Sequence, residues 1–324
     1  MEPGDTERAM KTKTTKPAAR GIRIKGLSRD LELLSLCLPV IAVLFLFNYL
    51  PMGGILLAFK SYKPLLGIWG SPWVGFENFE FFVRSPLIWQ VTRNTILYNL
   101  SFIILTPLIS VSFAVMLNEI GKRVVVKVYQ TIFFLPYFLS WVVVSIMLYA
   151  FLNTESGLAN RLIRFMGGEE ISWYTRPELW PFILVFMGLW NQIGYNTVIY
   201  YAGLMGIDPT LYEAAAIDGA GRWNRLRHVT LPMLTPLVVV MMILGIGRIF
   251  FADFGLHYQL PLQSGSLLPT VDVINYFTYR ALMQLRDYGM GTAIGLYQSG
   301  MGLILVLTTN WAARKISSGE QGLF

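Results

Sequence analysis

The chain has 324 residues, 54% of them hydrophobic and only 14% charged, with a mean hydropathy of +0.52. Soluble proteins carry about a quarter charged residues, so this composition argues against an ordinary soluble domain, and the net charge of +7 is too dispersed for a nucleic-acid-binding face. One cysteine, Cys37, leaves no disulfide framework and no thiolate metal site.

Taken in order, residues 1–32 carry eight Lys/Arg among Thr, Pro and Gly and read as a basic tail against a membrane surface. The apolar run that follows is too long for a signal peptide, and no small-residue cleavage site marks its end. Residues 33–59 give the first span, with irregularities expected at Pro39 and Pro51. Residues 60–93 form an aromatic-rich loop containing Trp69, Trp73 and Trp89, whose default role is interfacial anchoring. Further spans follow at 94–118, 128–152, 179–207, 229–252 and 289–313. A basic turn at 119–127 separates the second and third. The long 253–288 loop has an apolar middle, 271–277, that reads as a short interfacial helix.

Between the fourth and fifth spans lies a polar loop, 208–232, with its own local logic. Asp208 can cap a helix and Pro209 suits its first turn, while Tyr212 to Ile217 are mostly good helix formers. Gly219 supplies the stop, because glycine turns through positive φ at little cost. Six spans place both termini on one side, and the distribution of positive charge chooses which. The tail, the 119–127 turn, the 208–232 loop and the residues after the last span hold 16 Lys/Arg, against 9 in the other three loops. The fold class is therefore an all-α polytopic membrane protein with six transmembrane helices and both termini cytoplasmic. The transmembrane domain covers 33–315, flanked by tails at 1–32 and 316–324.

The residues Glu213, Ala214, Ala215, Asp218, Gly219 and Ala220, followed by Val229, Leu231 and Pro232, resemble the cytoplasmic "EAA" loop of permease subunits in binding-protein-dependent ABC importers. Val229 stands where that family usually has Ile. The stretch Gly70 to Phe76, the Tyr276 to Arg280 segment and the Gly295 to Asn310 span extend the resemblance to MalF-like, LplB-type oligosaccharide permeases, with alginate importers among them. The resemblance implies a bacterial inner-membrane chain that pairs with a second permease, two ATPase subunits and an extracytoplasmic solute-binding protein. It implies ATPase coupling through Tyr212, Glu213, Ala214, Ala215, Asp218, Gly219 and Ala220. It implies no cofactor in this chain, with ATP and magnesium held by the partner ATPases. In agreement, no Gly-x4-Gly-Lys-Ser/Thr phosphate loop occurs in the sequence.

No catalytic or metal constellation is present, for the only histidines, His228 and His257, lie on opposite expected faces. Polar groups in mid-membrane carry more information. Gln192, Asn196 and Tyr200 recur at i, i+4 and i+8, with Asn191 and Tyr195 on the adjacent ridge, so the five are expected to share one inward face. Two roles stand open for them, inter-helix glue and a pathway that hydrogen-bonds sugar hydroxyls. Arg248, near the end of the fifth span, also has two readings. It anchors to the interface or pairs with Asp253, or it faces the pathway and receives an acidic, alginate-like sugar. Gly291, Gly295, Gly300 and Gly302 read as helix packing. An ion-coupled secondary transporter is the rival class, but it usually carries intramembrane carboxylates, and no span interior here holds one.

Overall fold

The computed structural model describes residues 27–316, with side chains described over 35–80 and 84–311. The tails at 1–26 and 317–324 lie outside the described residues. The chain divides into two compact units, Met1–Gly53 and Gly54–Phe324. Every regular element among the described residues is helical, apart from one isolated bridge between Lys60 and Trp73.

In the first unit, α1 (Leu27–Leu44) runs straight through Pro39, and its regularity fails only later. It widens to a π turn at Phe45–Tyr49 and then tightens to a 3-10 helix, Leu50–Phe59, whose residues from Gly54 on belong to the second unit. Pro51 explains the position. It lacks an N–H for the Phe47 carbonyl and its ring crowds that group, so the preceding turn widens.

In the second unit, α2 (Pro86–Asn118) starts well before the expected position 94. Ser85 caps it by accepting from the Leu87 amide at 3.3 Å, and Pro86 occupies the first turn. The expected third span, 128–152, is not one helix. It consists of α3 (Arg123–Phe134), a 3-10 turn at Leu135–Phe138 and α4 (Trp141–Leu152), with a bend of 97° at the break. Pro136 removes a helical donor, and Ser140 restarts the helix by accepting from Val143 N at 3.4 Å. α5 (Trp180–Met205) matches the expected fourth span closely.

α6 (Pro209–Ile217) is the short helix of the polar loop, and α7 is a continuous helix over Arg222–Gly247. The arginine-rich lead was expected to precede the fifth span but is part of its helix, with a π turn at Leu226–Thr230 absorbing Pro232. α7 also ends at Gly247 rather than 252, and Arg248 closes it with φ −110°. The 253–288 loop then folds into α8 (Phe254–Gln259), a turn at Leu268–Val271 and α9 (Ile274–Met283). The 271–277 stretch is buried rather than interfacial, for Val271, Val273, Ile274, Tyr276 and Phe277 all pack in the core. α10 (Tyr288–Ile316) closes the described chain. Among the described residues five helices are long and apolar enough to cross a membrane, and the bent α3–α4 pair brings the number to six when it is counted as one broken span.

Two cores tie the 253–288 loop to the spans. Trp180 and Leu184 of α5 meet Val144 and Leu148 of α4 and Leu256 of α8. Ile88 and Val91 of α2 meet Phe277 and Ala281 of α9 and Ile294 of α10. A third core, Ala114, Tyr200, Leu204 and Leu234, joins α2, α5 and α7 at the other end. Of the four glycines expected to pack in α10, two meet a neighbour: a Cβ at Gly291 would lie 2.4 Å from Leu282 Cδ2, and one at Gly302 would lie 3.4 Å from Phe251 Cε2. Gly295 and Gly300 face open space, so they form no seam within this chain. The tightest helix approach is Gly194, where a Cβ would fall 2.0 Å from the Phe133 carbonyl oxygen.

Candidate functional site

The polar loop is a rigid, capped helix. Asp208 accepts from the Thr210 amide at 2.9 Å, and that bond holds its carboxyl below the usual carboxylate range. At the other end the Ala220 amide reaches the Ala215 carbonyl at 2.9 Å and the Gly219 amide reaches Ala216 at 3.0 Å. That is a Schellman closure, and it depends on Gly219 at φ +77°. Tyr212 ties the helix to the π turn of α7 through Thr230 Oγ1 at 3.1 Å, and it lines a cleft of about 600 Å³ with Glu119, Arg222 and Arg225. Glu213, Ala214, Asp218 and Gly219 are exposed, while Tyr212, Ala215 and Ala220 are half-buried. Two apolar side chains that sequence reasoning did not single out stand free beside them, Ile217 at 87% and Trp223 at 71% exposure.

The second site is a cleft walled by α2, α5 and α7. Two chambers, of about 190 and 510 Å³, share Asn99, Phe102, Gln192, Arg248 and Phe251. Gln192, Asn196 and Tyr200 all line the first chamber, so the i, i+4, i+8 row does form one lining. Asn191 and Tyr195 do not share it. Asn191 donates to the Pro136 carbonyl at 2.8 Å, and Tyr195 stacks on Tyr137 at 4.9 Å. One residue turns a helix by about 100°, so this neighbouring ridge faces the α3–α4 break, where the Pro136 carbonyl accepts from the Leu139 amide at 3.0 Å as well as from Asn191. Asn191 is glue.

Arg248 opens on both chambers. Among the described residues it makes no ion pair, and the pairing with Asp253 is not formed. Asp253 instead accepts from Trp141 Nε1 at 3.0 Å and caps α8 through the Leu256 amide at 3.1 Å. Asn99 was missed, although it is an amide in an apolar span and donates to the Ile249 carbonyl at 2.8 Å, just past Arg248.

His257 was also missed. It lines the second chamber with Asp253, Arg248 and Gln192. Its Nδ1 lies 2.9 Å from the Val271 carbonyl, and burial pushes its pKa down to about 4. The next residue along, Asp272, is fully buried and paired with Arg280, whose guanidinium lies over Tyr276 at 5.4 Å. Burial outweighs that pairing and raises the Asp272 pKa to about 6. Among the described residues no group of three or more His, Cys, Asp or Glu could hold a metal ion.

Residues 106–318 match the family model for the inner membrane component of binding-protein-dependent transport systems. The chain belongs to this family. The matched segment runs from mid-α2 through α10 and contains the capped loop and most of the cleft lining. Over 312 residues the permease is 36% identical to protein LplB of Bacillus subtilis (strain 168), covering 95% of this chain and 96% of that one. It is 35% identical over 288 residues to the polygalacturonan/rhamnogalacturonan transport system permease protein YteP of the same organism, covering 89% and 88%. Among solved structures it is similar to a chain of a bacterial alginate ABC transporter crystallised with an alginate pentasaccharide-bound periplasmic protein. The TM-score there is 0.82 at 30% identity, covering 92% of this chain and 99% of that chain. This chain is therefore a multi-pass permease subunit of the bacterial inner membrane, and the helix-only architecture agrees with that.

Proposed function

We propose that this permease imports an oligosaccharide delivered by an extracytoplasmic binding protein, with an acidic sugar as the preferred cargo. It works beside a second permease and two ATPase subunits that hold ATP and magnesium. The observation that carries the reading is the cleft: Gln192 lines it with an amide, Asn196 and Asn99 add amide oxygens while their nitrogens donate to backbone carbonyls, and Arg248 lines it too, with no ion-pair partner among the described residues. Two relatives handle acidic polymers, as the polygalacturonan system and the alginate transporter are named for. Gln192 to Tyr200 spans about 12 Å of helix, room for more than one point of contact with an extended chain.

The capped α6 helix is the coupling element. It sits on the cytoplasmic face, as the 16-to-9 division of Lys/Arg supports, with both termini on the same side. Its exposed Glu213 offers a carboxylate to a cation on the ATPase, and Ile217 and Trp223 supply the apolar contact around it. ATP-driven closure of the ATPases pushes on α6, and α7 carries the movement along its length from the π turn to Arg248.

The test is uptake by the assembled complex in proteoliposomes. Import of labelled alginate or polygalacturonate oligosaccharides is expected to require ATP and the loaded binding protein and to survive a proton ionophore. Uptake driven by an ion gradient without ATP would replace the reading with that of a secondary transporter.

A further inference from the structure

We infer that His257 is a specificity-determining residue of the outer chamber, where its Nε2 accepts a hydrogen bond from a hydroxyl of the sugar while Arg248 donates to the same cargo. The inference rests on the oligosaccharide reading above, and it gives a role in the lining to a residue of α8, in the 253–288 loop.

The chemistry of one hydrogen bond fixes the ring. A backbone carbonyl has only lone pairs, so the Val271 oxygen 2.9 Å from Nδ1 must receive a proton, and Nδ1 must carry it. The ring is 1% exposed and stands edge-on to Tyr98 at 4.7 Å, which holds its plane. In so buried a place the neutral form is favoured, leaving one N–H, already used. Nε2 is therefore a lone-pair acceptor in a fixed tautomer. No described side chain donates to it, and the ring lines the 510 Å³ chamber.

The neighbours define what fits. Arg248 can only donate. Each oxygen of the Asp253 carboxylate accepts one bond, from Trp141 or the Leu256 amide, the Asn99 amide nitrogen donates to the Thr95 and Ile249 carbonyls, and Gln192 adds one more amide to the lining. The chamber thus presents a cationic donor beside a fixed neutral acceptor. A ring that carries an acceptor oxygen and a neighbouring hydroxyl matches both. A cargo of bare anions, such as phosphate without hydroxyls, would leave Nε2 unanswered.

The experiment compares an alginate pentasaccharide with its mono-deoxy analogues, as uptake by the complete reconstituted transporter. The wild type is expected to import at least one analogue about 3–10-fold more slowly, the worth of one hydrogen bond. His257→Asn keeps a donor near the Nδ1 position but has nothing at Nε2. It should import the parent at that same reduced rate and no longer distinguish the analogue. His257→Gln keeps an acceptor near Nε2 and should retain the discrimination. A purely structural histidine predicts the reverse, with Asn rescuing and Gln failing, and that pattern would overturn the inference. So would a wild type that imports every mono-deoxy analogue at the parent rate, whatever the variants do. A wild type that imports no oligosaccharide at all would remove the underlying reading as well, and is told apart by that.

Discussion

Arg248 is where the question of cargo charge becomes a measurement. It lines both chambers and has no partner carboxylate among the described residues, so its charge is available to a ligand. A charge-assisted hydrogen bond is worth about 1.5–3 kcal/mol, so Arg248→Gln should slow import of acidic oligosaccharides about 10–100-fold and leave neutral ones nearly unchanged. Equal loss for both would make Arg248 an anchor. His257 and Asp272 make a second prediction, in stability. The His257 pKa is depressed from 6.5 to about 4 by burial, so as pH falls through that window the unfolded chain takes a proton first and stability is lost. The Asp272 pKa is raised from 3.8 to about 6 by burial, so there the folded chain takes the proton first and acidification stabilises it. The two slopes oppose each other between about pH 4 and 6. Relative to wild type, His257→Gln should therefore gain apparent Tm on acidification and Asp272→Asn should lose it, read by tryptophan fluorescence in detergent. Parallel curves for the three proteins would show that neither group titrates in this range.

At the scale of the element, α6 is the part of the molecule whose shape is most self-contained. Glu213→Ala leaves both caps intact, so the permease should reach the membrane while substrate-stimulated ATP hydrolysis falls about tenfold, as for loss of one charged contact. Gly219→Val should be worse. Nothing lies within 4 Å of a Cβ there, so the cost is the backbone itself, held at φ +77° where a β-branched residue is strained. Normal coupling in both variants, assayed as ATP hydrolysis per transported molecule, would end the coupling assignment. This same self-containment is why the helix was legible in the sequence: Asp208, Pro209 and Gly219 act within a few residues of where they stand. The break at Pro136–Ser140 was equally local, but the run from 128 to 152 was apolar enough to read as one span. The cleft was only half legible. Helical period located the Gln192, Asn196 and Tyr200 row, but could not tell which adjacent ridge faced a neighbour rather than the opening. Asn99 and His257 lie 158 residues apart in sequence, and no local pattern joins them to Arg248.

At the scale of the whole molecule the open matter is direction, because the proposed roles of α6 and the outer chamber exchange sides if the chain is inverted. The charge division supports α6 inside, and the structure now selects better positions to test it than sequence reasoning does. Ser71 looks like a natural reporter in a loop, but its hydroxyl is buried, accepting from Lys63 N at 2.9 Å and donating to the Gly67 carbonyl. A cysteine there would fail to react for reasons unrelated to topology. Glu169 lies in an exposed turn between α4 and α5, Gln284 is exposed at the end of α9, and Asn224 is exposed at the start of α7. In a Cys37→Ser background, single cysteines at Glu169 and Gln284 should react with a membrane-impermeant thiol reagent added to intact cells. One at Asn224 should react only after the membrane is opened. Labelling of the Asn224 position alone from outside would invert the molecule. It would turn α6 away from any cytoplasmic ATPase and require the Lys/Arg excess to lie on the outer face, against the bias that sets membrane-protein orientation.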